Sequence, residues 1–259
     1  MKYDRIGVDY DSTRRPDPRV ADRLIALLEP RAGERYLDIA CGTGNYTQHL
    51  HARGIDVIGI DQSRTMLEAA HAKFPDITFD QADVTALPFP NRSFYGAICT
   101  LAIHHFTDID RAFREISRVL GDGRFVIFTA TPDQMRTYWL NAYFPNAMAR
   151  AIAQMPSEDR VRVALAGAKF AIEATEPWFI PGDPIDLFLY CGKHNPALYL
   201  DARVRSGIST FASLANADEI EQGLAQLRSD IETGRIVARM AEHGSPFGDY
   251  MFFAARKVV

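Results

Sequence analysis

Two rhythms of apolar residues alternate along the first half of the chain. Val20, Leu24, Leu27 and Leu28 recur at i, i+4, i+7 and i+8, the spacing of one helix face. Asp17 and Pro18 open that helix as cap and first-turn proline, and Pro30 ends it. Residues 36–40 then form a short apolar run leading into Cys41-Gly42-Thr43-Gly44. A helix follows to Leu50 and stops near Gly54, and 56–61 reads as a second strand. Ser63 caps a helix carrying Met66, Leu67, Ala70 and Phe74. Residues 77–79 and 95–100 are the third and fourth strands. The helix from 108 to 120 ends at Gly121, and 124–129 is a fifth strand. Strands alternating with helices at this spacing predict a parallel sheet covered on both faces.

Beyond Ala130 the rhythm changes. Residues 132–156 read as helical and dense in large side chains, with Met135, Tyr138, Trp139, Tyr143, Phe144 and Met148 close together. At about 100° per residue those side chains cannot share one helix face, so some must meet a second surface. Residues 157–168 suit another sheet-covering helix and 170–180 a sixth strand. Residues 184–243 are again mostly helical, with Ile220, Leu224, Leu227 and Ile231 on one face, and 249–255 suits a last strand. The expectation is one α/β domain over 1–259, a Rossmann-like, doubly wound, mostly parallel seven-stranded sheet. Its core is 17–130, 157–180 and 247–257 return to the sheet, and 132–156 and 184–243 are helical cap insertions.

Composition narrows the functional classes without naming one. Of 259 residues, 29 are Lys or Arg and 33 are Asp or Glu, for a net charge of −4. That balance, with no basic run, lacks the cationic footprint of a nucleic-acid binder. No apolar stretch approaches the ~18 residues of a membrane span, and residues 1–5 lack the apolar region of a secretory signal. Cys41, Cys99 and Cys191 are odd in number and far apart. They suggest neither a disulfide framework nor a metal site, and a reducing, cytoplasmic setting follows.

The chemistry concentrates at the first crossover, where open α/β sheets bind ligands. Gly42 and Gly44 let a ligand approach the backbone with no Cβ in the way. Asp61 ends the second strand, where a carboxylate can accept from both hydroxyls of a ribose. Asp83, after the third strand, is placed for an adenine amine. A dinucleotide loop rests its pyrophosphate on the helix N-terminus and needs a small third residue so that helix and strand pack closely. Thr47 stands there instead. Asp38 would repel a pyrophosphate but suits a ligand bearing an ammonium and a sulfonium. The pattern therefore favours a cationic adenosine compound over NAD(P).

Together these segments resemble the class I S-adenosylmethionine-dependent methyltransferases that act on small molecules, near the ubiquinone/menaquinone methyltransferase group. The resemblance spans 36–128 and rests on LDIACGTGNYT (37–47), VIGIDQS (57–63), QADVTALPF (81–89), SFYGAICTLAIHHF (93–106) and REISRVLGDGRFVIFT (114–129). Ala40 stands where the family's loop has its first glycine.

The resemblance implies S-adenosyl-L-methionine as cofactor. It implies that Asp38 and the backbone at Ala40, Gly42 and Gly44 hold the methionine portion, and that Asp61 takes the ribose. Gln62, Met66, Asp83 and Val84 would surround the adenine, and Leu101 would face the methionine end. Residues 1–16, with Tyr3, Tyr10 and Arg14, would form a lid. Arg14 or its neighbour Arg15 would meet the cofactor carboxylate bidentately.

His104 and His105 follow the fourth strand, where the acceptor atom would lie, and either could take a proton near neutral pH. Adjacent residues point differently, so at most one of the two is expected to face the acceptor. Tyr3, Tyr138, Trp139, Tyr190 and His194 are the candidate acceptor contacts. The expected activity is O-, N- or C-methylation of a small molecule, with no nucleic-acid or membrane partner and an open oligomeric state. Two other readings compete: a non-catalytic S-adenosylmethionine-binding subunit, and an NAD(P)-dependent oxidoreductase.

Overall fold

The structure is a computed structural model that describes residues 13–258. Seven strands form one sheet: β1 (Arg35–Ile39), β2 (Asp56–Asp61), β3 (Phe79–Gln81), β4 (Gly96–Thr100), β5 (Arg124–Thr129), β6 (Phe170–Trp178) and β7 (Tyr250–Lys257). Their order is β3-β2-β1-β4-β5-β7-β6. The first five are mutually parallel, and β7 runs antiparallel between β5 and β6. The order reverses between β1 and β4, so the carboxyl ends of these two strands flank the crevice where ligands bind in such sheets.

The apolar runs form central strands because both their faces are covered. In β5, Phe125 and Ile127 pack into one core while Val126 and Phe128 pack into the other. The first core is closed by Phe113 and Ile116 of α4 (Ile109–Val119) and by Val161 and Leu165 of α7 (Glu158–Gly167). The second is closed by Leu24 and Leu28 of α1 (Pro18–Leu28) and by the cap. Asp17 caps α1 as expected, accepting from the Arg19 amide at 3.0 Å.

Helices α2 (Asn45–His51) and α3 (Arg64–Lys73) follow β1 and β2. The third strand lies two residues later than the apolar run suggests. Ile77 closes a turn after α3, its amide donating to the Phe74 carbonyl, and its side chain joins Leu67, Ala70 and Phe79 in a small cluster.

The expected helix over 132–156 is broken into three. It comprises α5 (Pro132–Arg136), a 3-10 turn (Trp139–Ala142) and α6 (Pro145–Gln154). Pro145 lacks an amide hydrogen and fixes φ, so it starts a helix more readily than it continues one. The break reorients the chain and lets Tyr138, Trp139, Tyr143 and Phe144 all be buried. The region 184–243 likewise begins as turns, not helix. A 3-10 turn (Pro196–Leu200), α8 (Ala202–Ser206), a π-helical turn (Thr210–Leu214), α9 (Ala217–Glu232) and α10 (Arg235–Glu242) follow. The amide ends of α6 are held from outside: the Glu219 carboxylate of α9 accepts from Asn146 and Ala147 at 2.7 and 3.0 Å.

Candidate active site

The loop after β1 is built around positive φ angles. Ala40 (φ 56), Gly42 (φ 56) and Gly44 (φ 77) all lie in the left-handed region, where L-residues other than glycine are uncommon. Gly44 must be glycine for space as well, since a Cβ there would sit 2.6 Å from the Phe79 ring. At Gly42 the opposite holds: nothing lies within 4 Å of where its Cβ would be. Its free side is open to a ligand.

Asp61 fixes this loop from the next strand. Its two carboxylate oxygens accept from the Gly42 amide at 2.9 Å and the Ser63 amide at 2.8 Å. Asp38 is buried and accepts from the Thr47 hydroxyl at 2.7 Å. Burial, with the Asp61 charge adding to it, pushes its carboxyl up to about 7, and Thr47 opposes the shift. Two carboxylates so placed make the crevice a receptor for positive charge. Thr47, at the third position of the glycine pattern, is engaged by Asp38 and offers no anion cradle.

One cavity runs from this crevice under the cap, enclosing about 1070 Å³ of empty space with its mouth included. Arg14, Ala40, Gly42, Asp61, Met66 and Leu101 border it, and a smaller adjoining pocket is bordered by Asp38, Cys41, Thr43 and Tyr46. Leu101, after β4, also has positive φ (54), and its amide donates to the Phe128 carbonyl at 2.7 Å. The strained residues Ala40 and Leu101 thus follow the two strands that flank the topological switch point, and both border the cavity.

His104 and His105 lie in the 3-10 turn Ile103–His105. Against expectation they do not diverge. Their ring centroids are 3.9 Å apart and both border the cavity.

The structure separates the two arginines. Arg15 is exposed, whereas Arg14 borders the cavity and its Nε meets the Asp186 carboxylate at 2.5 Å. The Tyr46 hydroxyl also donates to Asp186, at 3.1 Å. Desolvation raises the Asp186 pKa, and Arg14 is the main influence opposing it. Two further bonds tie the strap of residues 13–14 down: the Leu187 amide donates to the Thr13 carbonyl and the Asn45 side-chain amide to the Arg14 carbonyl.

Other expected contacts lie elsewhere. Gln62 is exposed, with its carbonyl accepting from Gln81. Asp83 is exposed and turned toward the Thr85 amide and hydroxyl, both 2.8 Å away. That is the geometry of a residue ordering its own turn. Val84 is half-buried against the sheet core.

Tyr138, Trp139 and Tyr190 are interior residues, not cavity walls. Tyr138 stacks on Tyr190 and bonds the Tyr199 hydroxyl, while Trp139 donates to the Lys193 carbonyl. His194 pairs with the Ile180 carbonyl at 3.0 Å. Aromatic content reports burial, and here it is burial against other aromatics. Tyr3 and Tyr10 lie outside the described residues.

The cap walls of the cavity come instead from Met135, Ala151, Gln154, Met155, Phe188, Leu189, Ile208, Ser209, Thr210 and Leu214, with Tyr250 from β7. These were not legible in the sequence, because no periodicity links positions on four separate elements. Among the described residues no cluster of His, Cys, Asp or Glu could hold a metal ion. No helix among them is long and apolar enough to cross a membrane.

Comparison with known proteins agrees with this geometry. Residues 37–128 match the family model described as a methyltransferase domain. A solved structure from Anabaena variabilis, provisionally described as a methyltransferase from an antibiotic biosynthesis pathway, is 32% identical. The match covers 95% of this chain and 99% of that one, with a TM-score of 0.84. An uncharacterised methyltransferase of Bacillus subtilis is 36% identical over 110 residues, 40% of this chain and 44% of that protein. Demethylmenaquinone methyltransferase of Thermotoga maritima is 32% identical over 144 residues, 52% of this chain and 63% of that protein. The chain thus spans about half the length of these curated relatives.

Proposed function

The chain belongs to the class I S-adenosylmethionine-dependent methyltransferases, and on that premise we propose that it methylates a small molecule held between the sheet and the cap. The observation that carries this reading is the single cavity joining the Gly42–Asp61 crevice to a chamber under the cap, with His104 and His105 at the junction.

The residues present fit the family's cofactor. Gly42 leaves its side open to a ligand, and Asp38 and Asp61 concentrate negative charge beside it, matching an ammonium and a sulfonium. In this reading Asp38 and the backbone at Ala40, Gly42 and Gly44 hold the methionine portion, Asp61 the ribose, and Met66 the adenine. Gln62, Asp83 and Val84 do not border the cavity, and Arg14 stands at the end where the cofactor carboxylate would lie. When bound, S-adenosylmethionine supplies a methyl on a cationic sulfur that leaves as a neutral thioether.

Little covalent work then falls to the protein. The cap and crevice hold the acceptor in line at about 3 Å, a contribution worth several kcal/mol as entropy already lost on binding. The closed cap excludes water, which would compete and screen the charges. Where the acceptor atom carries a proton, the imidazole of His104 or His105 receives it as the new bond forms. The net charge of −4 weighs against a nucleic-acid acceptor, and three free cysteines fit a reducing, cytoplasmic setting.

The test is calorimetry with S-adenosylmethionine and S-adenosylhomocysteine. Micromolar binding, weakened at least tenfold in Asp61→Ala, supports the reading. Absence of binding, or an unaffected variant, refutes it.

A further inference from the structure

We propose that the acceptor is an uncharged, predominantly apolar compound that offers its nucleophile toward His104 and His105, an inference that rests on the methyl-transfer reading above. The cavity has two chemically different ends. At the cofactor end stand Asp61, with Asp38 behind the loop, and Arg14, whose guanidinium is engaged by Asp186. Beyond Leu101 the character changes. Among the described residues lining that chamber the charged group is Arg14, 5.9 Å from the centroid of the Phe188 ring, and Asp186 already engages it.

Its walls are Met135 of α5, Met155 at the end of α6, Phe188, Ile208 and Leu214. The polar groups among them are sparse: beside the two histidines, the neutral side chains of Gln154, Ser209 and Thr210. An acceptor carrying a carboxylate, phosphate or sulfonate would leave its hydration shell here and meet, among the described lysines and arginines, an Arg14 whose charge Asp186 already balances, which outweighs the gain from contact area. An apolar skeleton instead exchanges water for thioether and aliphatic surface. A few neutral hydrogen-bonding groups suffice to orient it.

Position supplies the second half of the argument. The histidines, in the turn that follows β4, border the same cavity as these apolar walls. An acceptor whose apolar body fills the chamber therefore directs its remaining polar group at them. The two methionines, unbranched and conformationally adaptable, tolerate variation in the body but not in its charge.

The probes are N-phenyl-1-naphthylamine and 8-anilino-1-naphthalenesulfonate, which share one skeleton and differ by a sulfonate. Each is titrated by fluorescence into S-adenosylhomocysteine-loaded protein. The neutral dye is expected to bind at least tenfold more tightly than the sulfonate. In Met155→Lys and in Leu214→Lys, on different elements, the preference is expected to shrink at least fivefold or invert. S-adenosylhomocysteine binding, read by calorimetry, certifies that each variant is folded at its cofactor end. Equal affinity for both dyes in the unmodified protein overturns the proposal, as does binding of neither. An unchanged ratio in both folded lysine variants overturns it too. Failure of the unmodified protein to bind S-adenosylhomocysteine overturns the methyl-transfer reading instead.

Discussion

The Thr47 hydroxyl donates to the Asp38 carboxylate at 2.7 Å, across the first turn of α2. This bond favours the charged form of a group whose burial favours the neutral one. The balance leaves the Asp38 carboxyl at about 7, against 3.8 for the free side chain. The folded protein therefore holds this proton more tightly than the unfolded chain does. The Asp38 contribution to stability is present below about pH 4 and lost as pH rises toward about 7. A ligand ammonium favours the carboxylate, so ligand affinity runs the other way. Binding of S-adenosylhomocysteine, followed by calorimetry between about pH 5.5 and 8, should tighten with pH, by at most about tenfold per unit below pH 7. Asp38→Asn should bind weakly with a flat profile. A flat profile in the unmodified protein would remove Asp38 from the site.

Because both imidazoles border the cavity, removing one leaves a neighbour 3.9 Å away. The informative variant is therefore double. His104→Ala/His105→Ala should keep its affinity for S-adenosylhomocysteine and lose turnover by ~10²–10⁴-fold on a hydroxyl or protonated-nitrogen acceptor. Undiminished turnover would mean that positioning alone drives the reaction.

Ala40 adopts φ 56, a conformation costing an L-residue about 1–2 kcal/mol. Glycine avoids that cost but loses more entropy on folding, about 0.5–1 kcal/mol. Ala40→Gly should therefore raise stability by up to about 1 kcal/mol, a shift of a few degrees in a thermal melt. A lower melting temperature would show that the Ala40 methyl group packs usefully against the sheet core.

The ion pair between Arg14 and Asp186 is nearly excluded from solvent, with side chains 14% and 3% exposed. Asp186→Asn preserves the shape but removes the charge, leaving a guanidinium without its counter-ion. A loss of about 3 kcal/mol is expected, as when one partner of a buried pair is removed. Trypsin should also cleave after Arg14 sooner in the variant, since Arg15 is followed by Pro16. Unaltered stability and cleavage would mean that the bonds accepted by the Thr13 and Arg14 carbonyls suffice to hold the strap.

The central strands were legible because strands buried on both faces read as continuous apolar runs, as 36–40 and 124–129 do. The glycine loop and Asp61 were legible because backbone approach and a strand-end carboxylate leave marks at fixed spacing. The cap was legible only as helical and apolar. Pro145 divides it, and the aromatic residues turn inward, because a hydrophobic pattern records that a residue is buried and not which surface buries it. Arg14 could not be told from Arg15, since the choice depends on Asp186, 172 residues away. Asp83 shows the same limit in reverse, a strand-end aspartate whose carboxylate serves its own turn.

Trp178 and Tyr250 pair in register at the junction of β6 and β7. Residues 179–249, which supply the Phe188-to-Leu214 side of the chamber, are in chain topology the loop of one very long hairpin. Both its ends are anchored on neighbouring rungs of the same ladder, so replacing the loop does not disturb the strand order. Closure entropy grows only logarithmically with loop length, about 0.6 kcal/mol per doubling. Lineages could therefore have exchanged this excursion whole, remodelling most of the acceptor pocket and keeping the strand order of the nucleoside-binding half, provided that a partner such as Asp186 was kept for Arg14 and Tyr46.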